Sequence, residues 1–209
     1  MEREFPVLLC FGLMLLFYLT YQGIKRRAGE GTRAVVFKTL ATACAAGLAT
    51  YSAVRHGDAA HILLATGIWL CAAADAMISF HFLPGMCMFA QAHILFGVSF
   101  VLLSPPGISS LLVFAVLTLG AILMYPKLKQ AAGSGSAWPY FAYALLLFAM
   151  LALAVPQRLL LLLGAVWFVI SDLMLAYRMA EPHQSTAYDY VCLGAYYLAQ
   201  FLIAASTVL

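Results

Sequence analysis

Charge is what this sequence has least of. Its 209 residues include 11 Lys and Arg and 8 Asp and Glu, 9% in all, where a soluble domain carries about 25%. That scarcity excludes an ordinary soluble domain, and no basic patch is present to hold nucleic acid. Cysteine is sparse too. Cys10, Cys44, Cys71, Cys87 and Cys192 are odd in number, sit in or beside apolar runs and contain no CxxC pair, so no disulfide framework or thiolate metal motif is expected. Histidine never recurs at HxxxH or HxxE spacing, and no metal is expected. GxSxG, a paired Ser and His, and a glycine-rich phosphate loop are all missing. Met1-Glu2-Arg3-Glu4 lacks the basic start of a cleaved signal peptide, and Lys25-Arg26-Arg27 follows the first apolar run instead of preceding it.

What remains is apolar: 65% of the residues, with a mean hydropathy of +0.98. This composition describes an integral membrane protein. Long apolar runs broken by Pro, Gly and charge predict eight transmembrane helices in one all-α bundle over residues 1–209. Their expected spans are Pro6–Ile24, Arg33–Val54, Ala59–Phe82, Met86–Leu103, Ile108–Tyr125, Trp138–Val155, Leu159–Met179 and Tyr188–Leu209. Leu83-Pro84-Gly85 is read as a break between the third and fourth, and Pro126 as the end of the fifth. Gly133-Ser134-Gly135-Ser136 forms the flexible middle of the longest loop. Lys25, Arg26, Arg27, Arg33, Lys127, Lys129 and Arg178 fall on one side, and Arg3, Arg55 and Arg158 on the other. The positive-inside rule makes the first side cytoplasmic, with both termini outside.

Two stretches share a layout. Gly67 to His81 and Gly164 to Arg178 align Gly with Gly, Asp75 with Asp172 and Met77 with Met174. The match predicts two tandem four-helix repeats, 1–104 and 105–209. A carboxylate inside an apolar helix is costly and marks a functional site by default. Each aspartate lies six residues before a basic residue at the cytoplasmic end, or ~9 Å inside that boundary at 1.5 Å per residue. Lys38, His93, Tyr143 and Tyr197 fall at similar depth, which predicts a polar cavity open to the cytoplasmic side. Plainer roles stand beside this one. The aspartates would equally fix helix packing, Lys38 would snorkel to the interface, His93 would bond across helices, and the tyrosines would sit in an interfacial belt.

Phe168-Val169-Ile170-Ser171-Asp172-Leu173-Met174-Leu175-Ala176 resembles the seventh-helix signature of the YhhN-type membrane proteins, the lysoplasmalogenase family. Phe37-Lys38-Thr39 is similar to the family's helix-two lysine, Gly67 to Asp75 to its helix-three aspartate segment, and Ala92-His93 to its helix-four histidine. Tyr140 to Met150 is similar to its helix-six tyrosine and methionine, and Tyr196 to Ile203 to its last helix. Ala74 stands where the family usually has glycine. The resemblance implies hydrolysis of the vinyl ether of a lysoplasmalogen, a lysophospholipid taken from within the bilayer, to a fatty aldehyde and glycerophosphocholine or glycerophosphoethanolamine. No cofactor is expected, and the expected location is a bacterial inner membrane. Asp75 and Asp172 would be the acid and the anion. Lys38 would anchor phosphate, and His93, Tyr143, Tyr197 and Gln200 would complete the substrate site. The rival reading is a proton-coupled carrier that uses the aspartates as a relay.

Overall fold

The computed structural model describes residues 4–131, 133, 135–180 and 185–209, so Met1, Glu2 and Arg3, and Ser134 of the glycine–serine loop, lie outside the described residues. Among the described residues every regular element is a helix, and there are eight: α1 (Glu4–Ala28), α2 (Thr32–His56), α3 (Ala59–Ile78), α4 (Phe82–Leu103), α5 (Ile108–Ala131), α6 (Trp138–Ala154), α7 (Leu159–Ala180) and α8 (Thr186–Ser206). The expected all-α architecture is met. Six of the eight, α1 to α5 and α7, are long and apolar enough to cross a membrane; α6, at 17 residues, is shorter. Large apolar side chains such as Leu8, Leu16, Val54, Leu111 and Val116 point outward. That is unusual for a water-facing surface and ordinary for a lipid-facing one.

Two proline readings need correction. The break between α3 and α4 falls earlier than Leu83-Pro84-Gly85: α3 stops at Ile78 and α4 already begins at Phe82. Pro84 is third in α4, where its missing N–H is one of the unpaired donors of a helix start and forfeits no bond. Gly85 makes the sharp reversal possible, because a Cβ there would lie 2.6 Å from the Cα of Ile78. Pro126 likewise sits inside α5, which continues to Ala131. The one hydrogen bond it forfeits, to the carbonyl of Ile122, lies near the charged end of α5 at Lys127 and Lys129.

The helix ends at the other pole have visible causes. α2 stops at Gly57, which takes the left-handed conformation (φ 70°) and returns its N–H to the carbonyl of Ala53. Asp58 then caps α3, accepting the backbone N–H of His61 at 3.0 Å and facing its ring Nδ1 at 2.8 Å. Those contacts, the backbone N–H first, hold the exposed Asp58 carboxyl below the usual carboxylate range. A depressed pKa contributes stability above the unfolded value, about 3.9, that is lost as the pH falls through the folded one. Asp58→Ala is expected to cost about 1 kcal/mol. It should appear as a lowered melting temperature at pH 7, with a gap from the parent that narrows on acidification. Equal melting temperatures at pH 7 would remove the cap.

Helix neighbours define the architecture. α2 packs on α3, α3 on α4, α4 on α6, α6 on α7, α7 on α8, and α8 back on α2. These six close a ring. α1 lies outside it against α2 and α8, and α5 lies outside against α6. The ring is filled by Leu64, Ile68, Phe96, Phe100, Met150 and Phe168, while α2 contributes the small side chains of Ala41, Ala45, Ala46 and Ala49. Small residues let helix backbones approach closely where apolar burial gives no advantage over lipid. Polar ties finish the pole away from the cavity: Ser99 donates to the carbonyl of Ala60, Ser52 to that of Thr207, and Gln157 to that of Phe100, each at 2.8 Å.

Candidate functional site

A cavity of about 350 Å³ opens at the end of the bundle where α1 turns into α2, α3 into α4 and α7 into α8. Both aspartates line it. Asp75, on α3, is 2% exposed. Its Oδ2 accepts from the hydroxyl of Tyr196 on α8 at 2.9 Å and from that of Thr42 on α2. Asp172, on α7, is half-buried, and its Oδ2 accepts from the hydroxyl of Tyr143 on α6 at 2.5 Å. Each carboxylate is therefore fixed by a phenol from another helix, Asp75 from α8 and Asp172 from α6, and both line the one cavity.

The mouth is charged. Lys38, on α2 and buried, reaches Ser79 Oγ at 3.2 Å and stands 3.9 Å from Glu30. Glu30, in the α1–α2 turn, accepts from Ser79 at 3.1 Å and from Tyr21 at 3.3 Å. Lys25 lies between Glu30, at 3.7 Å, and Asp189, at 3.5 Å; Arg178 closes on Asp189 at 3.0 Å. Partial burial pushes the Glu30 carboxyl up, but Lys38, Lys25 and the two hydroxyl donors outweigh it and hold the group below its usual range.

Of the residues singled out in the sequence, Asp75, Asp172 and Lys38 share the cavity wall, and Tyr143 stands directly behind Asp172. Tyr197 does not face the cavity. Its hydroxyl donates to the carbonyl of Lys38 at 3.0 Å, and its ring borders a separate apolar groove with Tyr18 and Met14. His93 is buried edge-on against Phe168 (4.7 Å between ring centroids) and Tyr143 (5.6 Å). Among the described residues no hydrogen bond reaches either ring nitrogen of His93, nor either end of the buried Gln200 amide. Neither is on the cavity wall. Sequence reasoning missed Thr42, Tyr196, Ser79, Glu30 and Asp189. Tyr196 is adjacent to Tyr197, and on a helix adjacent residues diverge by about 100°, so the choice between them needed the packing.

A further set, His56, Asp58 and His61, brings its ligand atoms within 4.8 Å of one another at the opposite pole. Asp58 is there the cap of α3, and its contacts to His61 are those of that cap. Among the described residues no histidine lines the cavity. Two carboxylates withdrawn from the surface in one cavity are suited to acid–base work: one delivers a proton while the other stabilises positive charge.

Among known proteins, the model of the YhhN family matches residues 33–207, from the first turn of α2 to just past the end of α8. No curated protein and no solved structure gives a significant match.

Proposed function

The chain belongs to the YhhN family, and on that premise we propose that it hydrolyses the vinyl ether bond of lysoplasmalogens, releasing a fatty aldehyde and a glycerophospho head. One observation carries the reading: two aspartates from α3 and α7 face a single cavity at the basic end of the bundle, each held by a tyrosine from another helix. The ether of a lysolipid lies just below its headgroup, at the level these carboxylates occupy beneath the charged mouth.

A vinyl ether breaks by protonation of its β-carbon. The resulting oxocarbenium ion takes up water, and the hemiacetal collapses to aldehyde and alcohol with the proton returned. Asp172, with a single hydroxyl donor, is the acid. Asp75, which accepts from two hydroxyls and shares the cavity with Lys38, is the anion that faces the developing cation and orients water. Tyr143 and Tyr196 fix the two carboxylates. The test is release of aldehyde from a lysoplasmalogen by purified protein. A carrier would instead move solute in vesicles and release none.

Lys38 anchors the phosphate in this reading. Because that contact is remote from the reacting bond, Lys38→Met should raise KM about tenfold or more and change kcat little. An unchanged KM would return Lys38 to the role of a snorkelling side chain.

All eight helices, in this reading, span the membrane, with α1 to α4 and α5 to α8 as repeats related by an axis along the membrane normal. The helix contacts support it: α4 meets α6 as α8 meets α2, and α1 and α5 lie outside the ring in corresponding places. The mouth lies at the end that carries Lys25, Arg26, Arg27, Arg33 and Arg178, and so faces the cytoplasm. A reporter active only in the cytoplasm and fused after Leu209 should be silent; a bright fusion would invert the topology.

A further inference from the structure

We propose that the charged mouth recognises a zwitterionic head with a primary ammonium, Lys38 and Lys25 taking the phosphate and Glu30 and Asp189 the ammonium. This rests on reading the cavity as a lysophospholipid site and goes beyond it in naming the head.

Across the mouth run five side chains of alternating sign. Lys38 is 3.9 Å from Glu30, Glu30 is 3.7 Å from Lys25, Lys25 is 3.5 Å from Asp189, and Asp189 is 3.0 Å from Arg178. A closed charge-assisted hydrogen bond measures about 2.7–2.9 Å. The first three separations are well beyond that, so these charges face one another without closing. Each lysine keeps donors, and each carboxylate keeps acceptor positions. A phosphate and an ammonium two carbons apart present the same alternation in reverse, and fit between them.

Charge balance gives the same answer. Lys25, Lys38 and Arg178 supply three positive charges; Glu30 and Asp189 supply two negative ones. One ionised aspartate on the floor brings the fixed charge to zero. A head with no net charge leaves that balance intact, whereas phosphoglycerol adds an uncompensated negative charge. The kind of ammonium follows from what the mouth offers. A primary ammonium has three N–H donors for carboxylate oxygens. A trimethylammonium has none and is held by aromatic faces. At the mouth the ring of Tyr21 already lies under Lys25, at 5.7 Å, and its hydroxyl is engaged by Glu30.

The test uses the full-length protein in detergent and lysophospholipids with a saturated 1-O-alkyl chain. These lack the double bond that is protonated, so binding is read without turnover. Three heads are compared by displacement of a fluorescent lysolipid: phosphoethanolamine, phosphocholine and phosphoglycerol. The ethanolamine analogue should bind about tenfold more tightly than either of the others. Glu30→Gln should bring those ratios toward one, and Asp189→Asn serves in its place if Glu30→Gln does not fold. Ratios compare heads on one preparation, so partial unfolding cancels. Equal binding of all three heads by the unmutated protein, or ratios unchanged in the variant, would overturn the proposal. Head discrimination without cleavage of an ethanolamine lysoplasmalogen would keep this site and remove the vinyl-ether reaction; cleavage with equal head binding would do the reverse.

Discussion

Asp172→Asn should leave a folded protein whose kcat for vinyl-ether hydrolysis is lower by ~10²–10⁴-fold, the usual loss when a general acid is removed. That corresponds to about 3–5 kcal/mol of transition-state stabilisation. Asparagine keeps the size of the side chain and an oxygen for the Tyr143 hydroxyl, which lies 2.5 Å from Asp172 in the native site. It cannot supply the proton. Asp75→Asn should fall by a similar factor for a different reason: the amide still accepts from Thr42 and Tyr196 but no longer opposes the charge of the oxocarbenium ion. Because both groups act on one transition state, the double variant should be little worse than either single one. A purely structural role predicts another pattern, in which residual activity follows the amount of folded protein. Aldehyde release measured beside a melting curve separates the two. A well-folded Asp172→Asn protein with native kcat would remove Asp172 from the chemistry.

The parts of this site that could be read in the sequence were those paid for in membrane energetics. A carboxylate within an apolar helix has no cheap alternative to a partner or a cavity, so Asp75 and Asp172 stood out, and Lys38 did at similar depth. Hydroxyl groups carry no such signal. Thr42 and Tyr196 donate to Asp75, yet a threonine or tyrosine on an apolar helix is equally at home in packing or at the interface. Glu30 and Asp189 were hidden for the opposite reason. Charges near a turn resemble ordinary solvated residues until three helix–helix turns are brought to one cavity mouth. His93 stood out by its depth and Gln200 through the resemblance of the last helix, but the helix rotation that decides which residue faces the cavity depends on every neighbour at once. The two misplaced helix ends share a cause. Proline reads as a stop in sequence, but at Pro84 a helix start tolerates it and at Pro126 the last turns of α5 survive one lost bond.

Gly164→Val should destabilise the protein strongly and take activity with it, although Gly164 is not on the cavity wall. A Cβ at this position would lie 2.7 Å from Cγ1 of Ile203, 3.0 Å from the backbone N of Ile203 and 3.1 Å from the carbonyl O of Ala199. Overpacking usually costs about 1–3 kcal/mol when side chains can shift. Here two of the three obstacles are backbone, so α8 itself has to move away from α7. α8 carries Tyr196, which holds Asp75, and α7 carries Asp172; the displacement therefore reaches both carboxylates. Gly164→Ala should show the same defect in weaker form. Adding Ile203→Ala should restore only part of it, since the backbone contacts remain. Gly47, inside α2, is the control: a Cβ there would meet nothing within 4 Å, and Gly47→Ala should be neutral or stabilising by up to about 1 kcal/mol. The matching position in the first half behaves alike. Gly67 lies eight residues before Asp75, as Gly164 lies eight before Asp172, and its Cβ would meet the ring of Phe96 on α4 at 2.6 Å. In both halves a glycine seats the aspartate helix against the helix that follows. Because a ring can swing aside where a backbone cannot, Gly67→Ala should cost less than Gly164→Ala. Melting temperatures that rank the two the other way would show that α7 and α8 are not packed backbone to backbone at this point.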